Sequence, residues 1–180
     1  MKECKKVILY IAMSLDGYIA TKNDSIDFLS IVEQEGEDYG YNDFMKTIDT
    51  IILGRKTYQK ISDMGASYPL DKNVYVITRT EKETFKNVIF YTENIKTLIE
   101  NLKRENIESK NQKNIFCDGG SEIVNELLKE NLIDEFYISI IPVFLGDGIY
   151  LFKNNRPPLN LKLIESKSFE KGLVQLHYIK

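Results

Sequence analysis

Three short stretches bring glycine, hydroxyl and cation together in patterns that suit an anion. In I-I-L-G-R-K-T-Y, Ile51 to Tyr58, an apolar run ends at Gly54, and Arg55, Lys56 and Thr57 follow. In V-I-T-R-T, Val76 to Thr80, a similar run ends in Thr78, Arg79 and Thr80. In F-C-D-G-G-S-E-I, Phe116 to Ile123, Gly119 and Gly120 stand directly before Ser121. The first amides of a helix lack partners within it and carry partial positive charge, so a phosphate placed there meets donors and a favourable dipole. Arginine adds a planar fork that can hold two oxygens at once. Glycine lets backbone approach a ligand with no Cβ in the way. Each stretch taken singly also reads as a turn with solvated cations. Three strand ends of the same chemistry are more than one turn needs, and open α/β sheets bind ligands beyond the C-terminal ends of their strands.

These stretches need strands to end where the glycines begin. Val7 to Ser14, Thr50 to Leu53, Asn73 to Thr78, Val88 to Tyr91, Asn114 to Asp118 and Glu135 to Ile141 are short and rich in Val, Ile, Tyr and Phe, which predicts strands. Several are apolar nearly throughout, as strands covered on both faces are. Helical spacing of apolar residues falls between them, over Tyr41 to Ile48, Lys56 to Met64, Ile95 to Asn106 and Glu122 to Asn131. Alternation of this kind predicts a three-layer α/β domain. After Gly146-Asp147-Gly148 the pattern changes. Leu159 to Ser168 and Leu173 to Ile179, joined through Glu170-Lys171-Gly172, predict a terminal antiparallel hairpin and therefore a mixed sheet. The polar run Arg104 to Lys113 reads as a solvated helix end and loop.

Composition narrows the function classes. The chain has 180 residues, 43% hydrophobic and 28% charged, with no linker-like stretch or internal repeat, so 1–180 is expected to be one domain. Lys and Arg number 24 against 27 Asp and Glu, a net −3 with the signs interspersed, and no basic face points to nucleic acid. An anionic ligand therefore needs a local site. No stretch has the length of apolar sequence a membrane span requires, and no signal peptide is evident, so a cytoplasmic location is expected. Cys4 and Cys117 lack metal-ligand or disulfide spacing, so no metal is expected. The chain has neither G-x-G-x-x-G after its first strand nor a P-loop; Gly146 and Gly148 are followed by Ile149, Tyr150 and Leu151. The one histidine, His177, alternates with apolar residues in the last predicted strand, which argues against a hydrolase triad.

Four motifs, in this order and spacing, resemble one family. They are S-L-D-G-Y-I-A at 14–20, L-G-R-K-T-Y at 53–58, D-G-G-S at 118–121, and I-D-E-F-Y-I-S-I-I-P-V-F-L-G-D-G-I-Y-L-F at 133–152. The chain resembles, over nearly its whole length, stand-alone dihydrofolate reductase-like proteins related to the C-terminal reductase domain of the bifunctional riboflavin-biosynthesis deaminase/reductase. The resemblance implies a three-layer α/β/α dihydrofolate reductase-like fold, with a mixed, mostly parallel sheet and a C-terminal antiparallel hairpin. It also implies NADPH as cofactor and hydride transfer to a small heterocyclic (pteridine or aminopyrimidinone-like) or carbonyl substrate. An activity like that of 5-amino-6-(5-phosphoribosylamino)uracil reductase is among those implied. A non-catalytic nucleotide-binding or regulatory protein of the same fold is the alternative.

Carried over by position, the resemblance puts Gly54, Arg55, Lys56 and Thr57 around the pyrophosphate and 2′-phosphate, with Thr78 and Arg79 helping to select the phosphorylated cofactor. Gly119, Gly120 and Ser121 would pass close under the pyrophosphate; in true dihydrofolate reductases the matching Gly-Gly peptide is cis. Ala12 and Ile19 would flank the nicotinamide, and Asp16 with Gly17, itself a turn signal, would form the loop covering it. Asp27, in S-I-D-F-L, matches the single active-site carboxylate of dihydrofolate reductases, since a carboxyl in an apolar pocket can supply the proton that accompanies hydride. It equally suits an N-cap for a helix from Phe28. No arginine matches the one that binds the glutamate tail of folate, and no cation beyond the cofactor residues stands ready for a ribose phosphate. With no tryptophan, ring stacking falls to Phe28, Tyr18, Tyr41 or another Tyr or Phe. The apolar loop Pro142 to Phe152 would suit a homodimer contact, and a folded-back core loop explains it equally well.

Overall fold

The computed structural model describes residues 5–80, 82–104 and 113–180. Chain order is β1 (Val7–Ser14), β2 (Tyr18–Ala20), a 3-10 helix (Asp27–Val32), α1 (Tyr41–Lys46), β3 (Ile48–Gly54), α2 (Arg55–Asp63), β4 (Asn73–Ile77), β5 (Val88–Tyr91), α3 (Ile95–Arg104), β6 (Asn114–Gly119), α4 (Ser121–Lys129), β7 (Glu135–Ile141), β8 (Ile149–Tyr150), β9 (Lys162–Ser168) and β10 (Val174–Ile179). The main sheet has eight strands in the order β5-β4-β3-β6-β1-β7-β10-β9. Its first six members run parallel, and β10 runs antiparallel to both β7 and β9. The mixed, mostly parallel sheet and its terminal hairpin are those expected, with helices on both sides.

Alternation along the strands sets the layers. Ile8, Ile51, Leu53 and Phe116 point to the face covered by α1 and α2, where Phe44, Tyr58 and Ile61 pack. Val7, Leu9, Ile52, Ile115 and Cys117 point to the other face, against α3 and α4. Both faces are apolar because both are covered, which is why these strands read as continuous apolar runs.

The two helices that begin at glycines are anchored unequally. α4 buries Ile123, Val124, Leu127 and Leu128, whereas α2 has no fully buried residue and rests on half-buried Tyr58 and Ile61. At roughly 1.5–3 kcal/mol for each large apolar side chain fully buried, the start of α4 is the fixed side of the sheet edge and the start of α2 the adjustable one.

Boundaries differ from the sequence reading by one or two residues at most ends. Helices α2 and α4 start one residue earlier than expected, directly at Arg55 and Ser121, because Gly54 and Gly120 take the extended N-cap conformation. β9 begins at Lys162 rather than Leu159. Residues 105–106 of the predicted third helix, most of the Arg104–Lys113 run, and Cys4 lie outside the described residues. The small β2–β8 sheet was not anticipated, and the helix suggested from Phe28 is a 3-10 helix that starts at Asp27. β2 and β8 are too short for periodicity to register, while Asp27–Val32 presents two buried residues, Phe28 and Val32, four apart.

Candidate active site

Register brings the predicted loop tips into one row. Gly54 pairs with Ile77 on β4, and Leu53 pairs with Gly119 on β6, so β4, β3 and β6 end side by side. Thr78 and Arg79 follow Ile77 directly. β1 lies next in the sheet, with Leu9 level with Cys117, which brings Ile11 alongside Gly119.

The glycines of this row are where backbones meet. A Cβ on Gly120 would stand 3.1 Å from Thr57 Oγ1, and one on Gly54 would stand 3.3 Å from Ile123 Cγ1. Gly119 has φ +94°, a conformation that favours glycine, and the Gly119–Gly120 peptide is cis. Neither helix start carries a side-chain cap, so the first amides of α2 and α4 have no side-chain acceptor at their N-caps. Arg55, Lys56 and Arg79 are exposed along this row, while Thr78 is buried and accepts the Thr80 amide at 3.2 Å. A Cβ at position 120 would fill this cradle; the residues present fit a diphosphate with an added phosphate beside it.

Other predicted residues have different surroundings. The Ser121 hydroxyl donates to the Tyr150 carbonyl at 2.5 Å, so it ties α4 to the β8 segment. Asp16 Oδ1 accepts from the Ser14 hydroxyl at 2.6 Å and the Leu145 amide at 3.1 Å, and Oδ2 accepts from the Gly146 amide at 2.7 Å. Gly17 turns with φ +89°, and its carbonyl accepts from the Leu151 amide at 2.9 Å. The loop after β1 is thereby strapped to the loop after β7. Partial desolvation works against ionisation of Asp16, but these hydrogen bonds prevail and hold its carboxyl below the usual range. Ala12 packs with Phe28, Val32 and Ile141, whereas Ile19 packs with the opposite cluster around Val124 and Leu151. Ile11, 3.5 Å from a Cβ on Gly119, is the β1 residue that reaches the glycine turn.

Asp27 opens the 3-10 helix with its side chain exposed. No apolar pocket encloses it, and it caps nothing, the N-cap being Ile26 with no side-chain bond. The sequence reading missed a different carboxyl. Asp118 is the residue just before the glycine pair, and strand alternation turns it to the α1/α2 face, opposite Cys117. There the Tyr68 hydroxyl donates to Oδ2. Asp118 keeps a window to solvent, yet dense protein surroundings push its pKa up to about 6, an effect the Tyr68 hydrogen bond partly offsets. Burial and the Asp118 charge together push Tyr41 up to about 12, and Tyr68 moves in the same direction. The missed signal was available: a charged residue ending an otherwise buried strand, in I-F-C-D-G-G, is where a site is expected.

Of the candidate aromatics, Phe28 is core, Tyr18 stacks on Tyr150 at 4.2 Å, and Tyr41 stands edge-on to Phe116 beside Asp118. His177 stacks on Tyr137 at 4.1 Å and contacts Glu135 Oε1 at 2.7 Å, a role within the sheet. An apolar cavity of about 270 Å³ lies on the other side of the sheet, walled by Met13, Phe136, Ile138, Leu176 and Tyr178. It includes none of the polar groups above, so size does not make it the reaction site. Among the described residues, no group of His, Cys, Asp and Glu could hold a metal, and no helix is long and apolar enough to cross a membrane.

The model of the RibD C-terminal domain matches residues 5–175. The chain belongs to this family. It is 43% identical over 178 residues to "Uncharacterized protein YwjB" of Bacillus subtilis (strain 168), covering 98% of each chain. A crystal structure from Shewanella sp. PV-4, described as a candidate riboflavin biosynthesis protein, is 29% identical with a TM-score of 0.84, covering 97% of this chain and 98% of that one. Dihydrofolate reductase from Enterococcus faecalis, solved with NADP(H) and RAB-propyl, shares the fold at a TM-score of 0.64 and 16% identity, over 97% and 95% of the two chains.

Proposed function

We propose that this RibD-type chain is an NADPH-dependent reductase acting on a C=N or C=O bond of a small heterocyclic compound. The observation that carries the reading is that β3 and β6 end side by side in two uncapped helix starts, so close that a Cβ on Gly120 would stand 3.1 Å from Thr57 Oγ1. When bound, NADPH supplies hydride. Everything else falls to the chain. The α2 and α4 amides would hold the diphosphate, Arg55, Lys56 and Arg79 would neutralise the 2′-phosphate, and Ile11 would press on the turn from β1. Asp118, rather than exposed Asp27, would hold a proton for the substrate heteroatom; its pKa of about 6 leaves a usable protonated fraction near neutrality, and its solvent window allows the proton to be replaced. The exposed Phe144 of the β7–β8 loop and Tyr150 of β8 support self-association.

The test is titration of the purified protein with NADPH and NADH, followed by fluorescence and melting temperature, then NADPH oxidation across pteridine, aminopyrimidinone, quinone and aldehyde panels. Binding with turnover is expected. No binding of either nucleotide at millimolar levels overturns the reading, and binding without turnover leaves a nucleotide-binding protein. Arg55→Ala should weaken NADPH about tenfold or more and NADH much less, the difference being one charge-assisted phosphate contact of ~1.5–3 kcal/mol. Equal losses would remove Arg55 from the 2′-phosphate.

A further inference from the structure

On the α3/α4 face of the sheet, α4 lies over β3 and β6. The same face of β7 and β10 is roofed by part of the irregular segment 151–161, and beneath it lies the apolar cavity of about 270 Å³. Met13, Ile138 and Leu176 line its floor, with Leu128 of α4 and Leu161 beside β9 at its sides. The start of the roof is fixed to α4. Asn125 donates to the Leu151 carbonyl at 2.7 Å and accepts the Lys153 amide at 2.7 Å, and Lys153 Nζ pairs with Glu122 of the same helix. The hollow therefore exists before anything enters it, and no loop has to be ordered on binding.

Its polar groups are few and free. Arg156 is the one charged residue lining the cavity among the described residues. It is exposed, its guanidinium carbon stands 5.4 Å from the centroid of the Phe152 ring, and it makes no hydrogen bond or ion pair with a described residue. The ring contact holds the cation beside the hollow and leaves its N–H fork open to a carboxylate. Tyr178 also lines the cavity, and its hydroxyl has no partner among the described residues. An aliphatic floor with one unpaired cation suits a molecule with an apolar body and a single anionic head. At about 30 Å³ for a water-sized group, the volume takes roughly nine such groups, which matches a chain of about eight carbons ending in a carboxylate.

We propose that this cavity is a second ligand site, separate from the glycine row, that takes an unbranched alkyl carboxylate of medium chain length, with its chain on the aliphatic floor and its head on Arg156. The site is independent of the reductase reading: none of the residues of the glycine row lines it, and Tyr68, the partner of Asp118, packs on the opposite face of the sheet.

The experiment is calorimetric titration of the full chain with octanoate, hexanoate and octanol, accompanied by light scattering. Octanoate should bind one to one. Hexanoate should bind about tenfold more weakly, since each buried methylene is worth roughly fourfold. Octanol, which offers Arg156 no charge, should bind several-fold more weakly than octanoate. Arg156→Ala should weaken octanoate about tenfold and leave octanol within twofold. Leu161→Glu, a new anion on the wall, should weaken octanoate at least as much with the circular dichroism spectrum unchanged. No octanoate binding at millimolar levels, equal affinity for hexanoate, or equal losses of octanoate and octanol in Arg156→Ala would each overturn the proposal. A chain that scatters as a dimer, becomes monomeric in Leu161→Glu and binds no octanoate would overturn it as well, and would give this face to a second copy.

Discussion

Asp16 and Asp118 both stand just past or at the end of a central strand, and the molecule treats them oppositely. Asp16 is reached by solvent and receives a hydroxyl and two amide donors, so its charged form is favoured and its carboxyl is held low. Asp118 also keeps a window to solvent, but it sits in denser protein, receives a single phenol hydrogen bond, and is held high. A group ionised through the neutral range makes a permanent latch. A group poised near 6 can exchange a proton at working pH. The difference lies in donor count and desolvation rather than residue type, so these two carboxylates divide structure from chemistry.

The strongest way to break this contrast is Asp118→Asn, which keeps an oxygen for Tyr68 but removes the proton and charge. Turnover should fall by about 10²–10⁴, the usual contribution of a general acid, in steady-state NADPH oxidation. Stability should move the other way. Because the folded pKa is raised above that of an unfolded aspartate, the carboxyl's favourable contribution is complete below pH ~4 and is lost as pH rises through about 6. Above that, the ionised carboxylate is a burden of about 1–2 kcal/mol once its solvent window is allowed for. The variant should therefore melt several degrees above the parent at pH 8 and no higher at pH 4. A variant that melts lower at pH 8 would show that the carboxylate is well stabilised there. A smaller effect is expected of Tyr68→Phe. Its hydroxyl lowers the Asp118 pKa, so removing it should raise that pKa and carry the alkaline fall of kcat/KM to higher pH, since the acid must be protonated. No movement of that limb would uncouple Tyr68 from the acid.

The strand–glycine–helix junctions were legible because they depend on local chemistry: apolar runs, glycine at the handover, cations in the first turn. Which side chains the handover exposes depends on register and packing. L-G-R-K-T and C-D-G-G-S read alike, yet Arg55 and Lys56 stay exposed at a lightly anchored helix while Ser121 turns inward to the Tyr150 carbonyl. Asp16 was seen as a turn residue, and its partners Leu145 and Gly146 lie about 130 positions away, beyond any local pattern. Asp27 drew attention through a motif, although only a fold can tell that its side of the 3-10 helix meets water. Asp118 was inside a quoted motif and passed over, because the glycines beside it had already explained the stretch.

Two further substitutions sharpen the comparison from the other side. Asp16→Ala should release the β7–β8 loop, seen as faster hydrogen exchange at the Leu145 and Gly146 amides. With the carboxyl held low, the parent loop should stay protected from neutral pH down to the ordinary aspartate range and loosen only in stronger acid. Loosening near pH 6 would mean that Asp16 is not the latch. The smallest effect belongs to Asp27→Asn. An exposed carboxyl on a helix of six residues has no enclosed partner to position it, so kcat and KM should stay within twofold of the parent. A hundredfold loss there, with Asp118→Asn nearly silent, would reverse the roles. The proton would then come from the 3-10 helix, which would have to fold inward over bound substrate to deliver it.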